Sequence, residues 1–166
     1  MDESFTPSGR RYEIEIPSGE YTFNSIRVGP RPSRSRKFRP GFSLEAGTYY
    51  TGRRYSIETE TAYLPSGKLA VELEYEGNWL RLPQGNFSIH TLSNRILYSF
   101  TTDFFVKLFV QWNSDKETAG ANLLLNYRYR PGSDLFLVLD SGFDTFDGLE
   151  RRNRSVLVKW SYLLNL

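Results

Sequence analysis

The chain has 166 residues, of which 39% are hydrophobic, 24% are charged and 16% are aromatic. It has no cysteine and a single histidine, which excludes disulfide frameworks, iron–sulfur clusters and His-rich metal sites, so no metal or cofactor is expected. The formal charge of +2 is too small to predict nucleic-acid binding. No stretch reaches the ~18–20 consecutive apolar residues that a membrane-spanning helix needs. This criterion does not detect membrane β-strands, because their apolar and polar side chains alternate.

The N-terminal segment Met1–Pro7 is polar and acidic and lacks the apolar core of a secretory signal. We therefore expect a cytosolic protein, a mature form, or a piece of a longer chain. The first 37 residues hold two weaker strand patterns, Arg10–Ile16 and Glu20–Val28. A basic segment rich in proline and serine follows at Pro30–Lys37 and predicts a loop.

From Phe38 onward the dominant period of hydrophobicity is two, which is the period of a β-strand. The alternation is clear in five segments: Arg53–Tyr63, Lys68–Trp79, Asp103–Asn113, Thr118–Arg130 and Val156–Leu166. It is weaker in Phe38–Tyr50 and Phe87–Phe100, and Leu135–Leu139 is apolar on both faces. No segment has the spacing of an amphipathic helix. Residues 38–166 therefore predict eight strands, and residues 1–166 predict one domain.

Turn residues separate these strands at intervals that suit hairpins, for example Pro65-Ser66-Gly67 and Pro131-Gly132-Ser133. The predicted fold class is all-β: an antiparallel up-and-down meander of about eight to ten strands. Such a meander is expected to form a transmembrane β-barrel or the C-terminal part of a larger one.

The size of the side chains on the two strand faces favours a membrane barrel over a soluble one. The apolar faces carry large side chains on nearly every strand, more than the interior of an eight-stranded barrel holds. Aromatic residues lie near several strand ends, as in the interface girdles of membrane barrels. The polar faces carry acids and bases, which we predict to face the lumen: Arg54, Glu58, Glu60, Glu72, Glu74, Glu76, Arg95, Lys107, Arg128 and Lys159. The alternative is a soluble β-barrel or sandwich that encloses an apolar ligand.

Four stretches add a family resemblance: Leu82–Phe87 with His90, Phe109–Asp115, Tyr129–Val138 and Val158–Leu163. They resemble the C-terminal outer-membrane β-barrel domain of unknown function that follows a family 9 carbohydrate-binding-like module in bacterial outer-membrane proteins. The resemblance runs from about Glu20 to Leu166, and Arg130-Pro131-Gly132-Ser133-Asp134-Leu135-Phe136 is its most specific part. The chain differs from that family at its front, where neither a signal peptide nor the carbohydrate-binding-like module is found.

The resemblance implies a location in the bacterial outer membrane and contacts with the lipid bilayer and the outer-membrane assembly machinery. It also implies a porin-like transport role or a link to glycans. The last strand has the alternating apolar pattern that the assembly machinery reads, although the chain ends on Leu166 rather than on an aromatic residue.

A periplasmic C-terminus would fix which connections face outward. Outside we expect Ser141–Asn153, Asn113–Glu117, Leu80–Asn86 and Thr51–Arg53; on the periplasmic side we expect Pro65–Gly67, Thr101–Thr102, Pro131–Ser133 and Pro30–Lys37. Membrane barrels have the longer loops outside, and we expect the same here.

The glutamates of the polar face permit two interpretations. They could form a stripe that attracts cations into a pore. They could instead form lumen salt bridges with Arg54, Arg95 and Lys107, which is the interpretation we favour.

Catalysis is not expected. Paired carboxylates would suit glycoside hydrolysis, but no other feature supports that chemistry. His90 has Ser88 and Asn94 nearby in sequence, which is weak support for a serine hydrolase. Asp140, Asp144 and Asp147 lack the spacing of a calcium loop.

Overall fold

The structure is a computed structural model that describes residues 18–30 and 35–164. In this part of the chain the backbone forms nine strands and no helix. The strands are β1 (Ser25–Val28), β2 (Phe38–Tyr49), β3 (Gly52–Ser66), β4 (Leu69–Leu82), β5 (Gly85–Ser99), β6 (Phe104–Asn113), β7 (Thr118–Arg130), β8 (Ser133–Asp144) and β9 (Glu150–Trp160).

All nine strands form one antiparallel sheet in which each strand pairs with its neighbours in sequence, in the order β1 to β9. The predicted fold class, an all-β up-and-down meander, is therefore confirmed. The eight strands predicted after Phe38 correspond to β2–β9, and the pattern at Glu20–Val28 yields the short strand β1. The strand predicted for Arg10–Ile16 lies outside the described residues. In the described sheet β1 and β9 are the edges and do not pair with each other.

Cross-strand pairing divides the sheet into two faces of different chemistry, because directly opposed residues point to the same side. On β3, one side carries Arg54, Ser56, Glu58 and Glu60, and we call it the charged face. The other side carries Tyr55, Ile57 and Thr59, and we call it the apolar face. The register continues both faces from β1 to β9. It shifts at three places near strand ends: Tyr63–Ser66 of β3, Arg128–Arg130 of β7 and Gly142–Phe143 of β8.

The sheet is a single layer with almost no interior of its own. The buried apolar side chains in the described residues are Leu80 and Leu82, and the buried polar ones are Ser56, Asn126 and Ser133. Every residue of the edge strand β9 is exposed. A soluble sandwich or barrel would bury one face of each strand. Most of the apolar face remains partly or fully exposed in this sheet.

The sheet is concave on its charged face. One groove of about 270 Å³ is lined mainly by charged-face residues from four consecutive strands, β3 to β6. Four adjacent strands extend over about 14 Å, and one groove shared by their side chains indicates that the sheet curls toward them. The side chain of Arg27 on β1 also reaches Glu58 on β3, across the intervening strand. The charged face is therefore the inner face of a curved sheet.

The connections between strands are shorter than their polar sequences predict. The predicted loop Ser141–Asn153 is a five-residue connection, 145–149, because β8 and β9 pair as far as Asp144 and Glu150. Likewise Leu80–Asn86 contains only a two-residue turn at 83–84. The connection between β1 and β2 is the longest one. The connections are short because polar residues at the strand ends continue the backbone pairing. Which end of the sheet faces outward stays a prediction.

Candidate functional site

All ten residues predicted to face the lumen lie on the charged face. The register places Arg54, Glu58 and Glu60 of β3 opposite Leu80, Glu76 and Glu74 of β4. The same face continues through the other seven residues, which are Glu72, Glu74, Glu76, Arg95, Lys107, Arg128 and Lys159. The structure thus brings the ten together on the concave side of the sheet, although the nine described strands do not enclose a lumen.

The strongest charge network of this face centres on Glu45 of β2, whose side chain is only 10% exposed. Its carboxylate accepts hydrogen bonds from Arg27 at 2.7 and 2.9 Å and from Arg54 at 2.7 Å. Arg27 donates a further bond to Glu58 at 3.0 Å. Glu45 and Arg27 were not among the sequence-predicted residues, because their strands show the weakest alternation. Arg54 pairs with Glu45 rather than with a glutamate of β3 or β4, which corrects the expected pairing.

Beside this network lies a block of four acids, three of which have no cationic partner among the described residues. Glu58 is directly opposite Glu76, and Glu60 is directly opposite Glu74. Among the described residues, no lysine or arginine forms an ion pair with Glu60, Glu74 or Glu76. Glu74 accepts a hydrogen bond from Ser93 at 3.1 Å, and Glu76 accepts one from Asn78 at 2.8 Å. Like charges directly opposed on a sheet are destabilising, so this block gives the groove a negative field.

The predicted salt bridge of the next strand pair is confirmed. Arg95 of β5 donates to Glu72 of β4 at 2.7 Å and lies over the ring of Phe109 at 5.4 Å. Lys107 lines the same groove of about 370 Å³, but no ion pair to Lys107 is found among the described residues. The interpretation of the glutamates as paired lumen charges therefore holds for Glu72 and not for Glu60, Glu74 and Glu76.

The charged face continues with further charges on β7 to β9. Arg128 lies 3.5 Å from Asp134, and Lys159 lies over the ring of Phe136 at 5.8 Å. Between them the register places Leu124, Val138 and Leu157 on the same face. The charged face of β7 to β9 therefore mixes charged side chains, which include Asp140 and Asp144 of β8, with large apolar ones.

His90 lies on the apolar face, opposite Gly77. Its Nδ1 shares a hydrogen bond of 2.9 Å with the Tyr75 hydroxyl, and its ring meets Trp79 edge-on at 5.4 Å. Tyr75 and Trp79 also cover Gly77, where a Cβ would come within 2.7 Å of the Tyr75 oxygen. The imidazole thus bonds to a tyrosine rather than to Ser88 or Asn94, and the arrangement is an aromatic cluster built over a glycine.

No group of three or more histidine, aspartate or glutamate side chains is arranged to hold a metal ion in residues 18–30 and 35–164. No helix in this part of the chain is long and apolar enough to cross a membrane.

Comparisons with known proteins give no family for this chain. No protein-family model matches it, and a search of curated proteins finds no match. The resemblance to the C-terminal barrel domain that follows a family 9 carbohydrate-binding-like module therefore stays a prediction.

Proposed function

We propose that the chain forms the membrane-spanning wall of a bacterial outer-membrane β-barrel. The observation that carries the proposal is the exposure of large apolar side chains along the convex, apolar face. Those exposed by more than a third include Phe38, Phe42, Leu44, Tyr63, Leu73, Leu92, Tyr98, Val110, Tyr127, Leu135, Val156, Val158 and Trp160. A surface of this size is stable in hydrocarbon and is an aggregation site in water.

The distribution of aromatic residues along the strands supports the same proposal. On β3 the apolar face has Tyr55 and Tyr63 eight residues apart, and on β6 it has Phe104 and Trp112 with the same separation. Eight residues extend over about 26 Å along a strand, or about 20 Å of membrane height at the usual strand tilt. The apolar band of an outer-membrane barrel is about 25 Å tall and is flanked by aromatic girdles.

The charged face supports the proposal because it needs water or paired charges, which a barrel interior supplies. Its concave curvature directs it toward the barrel axis. A pore, solute uptake and glycan docking are finer functions that follow only from the family resemblance, and they stay predictions. We propose no catalytic role for the chain.

Closure of the barrel requires a further strand. Nine strands that alternate in direction leave β1 and β9 parallel, so they cannot close an antiparallel barrel by pairing directly. Bacterial membrane barrels have an even number of strands for this reason. The strand predicted for Arg10–Ile16 would be the tenth. Its alternation places Tyr12, Ile14 and Ile16 on one side and Glu13 and Glu15 on the other.

Cysteine cross-linking tests this closure, and the chain has no native cysteine to interfere. We expect Ile14→Cys to form an intramolecular disulfide with Val156→Cys or Val158→Cys after oxidation of the folded protein. Glu15→Cys with Val158→Cys is the control, because adjacent residues of a strand point to opposite faces. A disulfide only between two copies would show that a second chain occupies the β9 edge, and no disulfide would favour a larger barrel.

Tryptophan fluorescence tests the membrane proposal without any substitution, because Trp79, Trp112 and Trp160, the chain's three tryptophans, all lie on the apolar face. In vesicles of brominated phosphatidylcholine we expect strong quenching of their emission. Bromines near the headgroups should quench more than bromines near the chain ends, since the tryptophans lie toward the ends of the apolar band. A monodisperse protein in detergent-free buffer, with emission that brominated lipid leaves unchanged, would instead support the soluble alternative.

A further inference from the structure

The apolar face has arginines that form no hydrogen bond or ion pair within the described residues at one end only. We call the end with the β2–β3, β4–β5, β6–β7 and β8–β9 connections the upper end. Arg53 and Arg81 lie there, directly opposite each other on β3 and β4. Arg151 and Arg154 lie there on β9, opposite Phe143 and Ser141. The register places no aspartate or glutamate on the apolar face of the nine described strands.

These four arginines, the arginine collar, are exposed and lack acidic partners within the described part of the chain. Arg53 and Arg81 repel each other as directly opposed like charges, which is unfavourable unless an anion neutralises them. Arg81 also lies 5.6 Å from the ring of Tyr55, at the upper aromatic girdle. The collar is therefore positioned at the level where lipid headgroups meet the apolar band.

The lower end of the apolar face differs. The arginine nearest to it, Arg130, lies beyond the β7–β8 bulge and is occupied by the protein itself. Its guanidinium lies 3.7 Å from the centre of the Tyr162 ring and donates to the Leu163 carbonyl at 3.2 Å. It also donates to the Ser133 hydroxyl at 3.2 Å. Within the nine described strands, only the upper end of the apolar face thus presents guanidinium groups that form no hydrogen bond with the protein.

We propose that the arginine collar binds the phosphates of the glycolipid that forms the outer leaflet of the outer membrane. Guanidinium groups bind phosphate oxygens through paired, charge-assisted hydrogen bonds, and Arg53 with Arg81 presents two such groups side by side. A collar at one end matches a membrane in which one leaflet is built from phosphorylated glycolipid. The upper end therefore faces outward, and the four connections of that end lie outside the cell. This inference rests on the proposed membrane location.

Lipid retention by the full chain tests the proposal. The protein is refolded into phosphatidylcholine vesicles that contain bisphosphorylated lipid A or, at equal charge, phosphatidylglycerol, and the lipid that stays bound after extraction in mild detergent is quantified. We expect lipid A to be retained in preference to phosphatidylglycerol. The double variants Arg53→Gln/Arg81→Gln and Arg151→Gln/Arg154→Gln should each lower lipid A retention by roughly tenfold. Lys37→Gln/Lys68→Gln removes two exposed charges at the lower end and should have no effect.

Three outcomes would overturn the proposal: equal retention of lipid A by the collar variants, equal loss in the lower-end control, or retention of phosphatidylglycerol as strong as that of lipid A. The last result would mean that any anionic leaflet suffices. Quenching by brominated lipid is measured on the same samples. Quenching without selective lipid A retention would contradict the collar alone, whereas a lack of quenching would contradict the membrane location itself.

Discussion

Replacing Leu108 by arginine is expected to destabilise the bilayer-inserted protein strongly. Leu108 lies midway between Phe104 and Trp112 on the apolar face, with Ile96 and Leu123 as its cross-strand neighbours. A lipid-facing arginine at the bilayer midplane costs about 2–4 kcal/mol. The equilibrium between the inserted and the unfolded protein should fall by roughly one to three orders of magnitude. Urea titration of the folded protein in phosphatidylcholine vesicles measures the change.

The matched control is Gln111→Arg, which introduces the same side chain on the same strand but on the charged face. Gln111 lines the groove that also contains Glu60, Glu74 and Glu76. An added guanidinium there meets acids that lack cationic partners, so we expect unchanged or slightly higher stability. The reverse order, with Leu108→Arg tolerated and Gln111→Arg destabilising, would show that the charged face meets the lipid.

The second large effect is expected for Glu45→Gln. The carboxylate of Glu45 holds Arg27 of β1 and Arg54 of β3 through three hydrogen bonds of 2.7 to 2.9 Å. A hydrogen bond to a charged group contributes about 1.5–3 kcal/mol, and the partial exposure of both arginines reduces that value. We expect a loss of about 2 kcal/mol in the free energy of unfolding. We also expect faster proteolysis at β1, a four-residue strand that pairs only with β2.

Glu74→Gln is the control, because it removes the same charge from the same face at a position without an ion pair. Glu74 lies directly opposite Glu60, so its neutralisation removes a repulsion and should leave stability unchanged or raise it by a few tenths of a kcal/mol. Equal losses for both variants would mean that charge removal in general, rather than the Glu45 network, destabilises the sheet.

The polar segments between strands show where sequence patterns were misleading. Ser141–Asn153 and Leu80–Asn86 are rich in turn-forming and polar residues, yet most of each segment continues a strand. A polar composition indicates that a segment is exposed to solvent. The strand ends are as exposed to solvent as a loop is, so composition alone does not distinguish the two. Backbone pairing across β8–β9 and β4–β5 extends the strands because each residue added satisfies its hydrogen-bonding groups.

The residues of the candidate site were also only partly predictable from the sequence. Alternation was enough to place all ten predicted residues on one face, since a strand has only two faces. It did not reveal Glu45 and Arg27, because Phe38–Tyr50 and Glu20–Val28 alternate weakly and nothing local relates β1 to β3. The aromatic cluster of Tyr75, Trp79 and His90 also depends on the β4–β5 register, which joins residues distant in sequence.

The sequence by itself determined the all-β class, the meander and the division of each strand into a charged and an apolar side, because side-chain direction has a period of two. Only the tertiary structure decided which charges meet, that the sheet curls toward its charged face, and that the four arginines of the collar gather at one end of the apolar face. Those features depend on the register between strands and on the curvature of the sheet. Both are properties of many strands together, and no single strand specifies them.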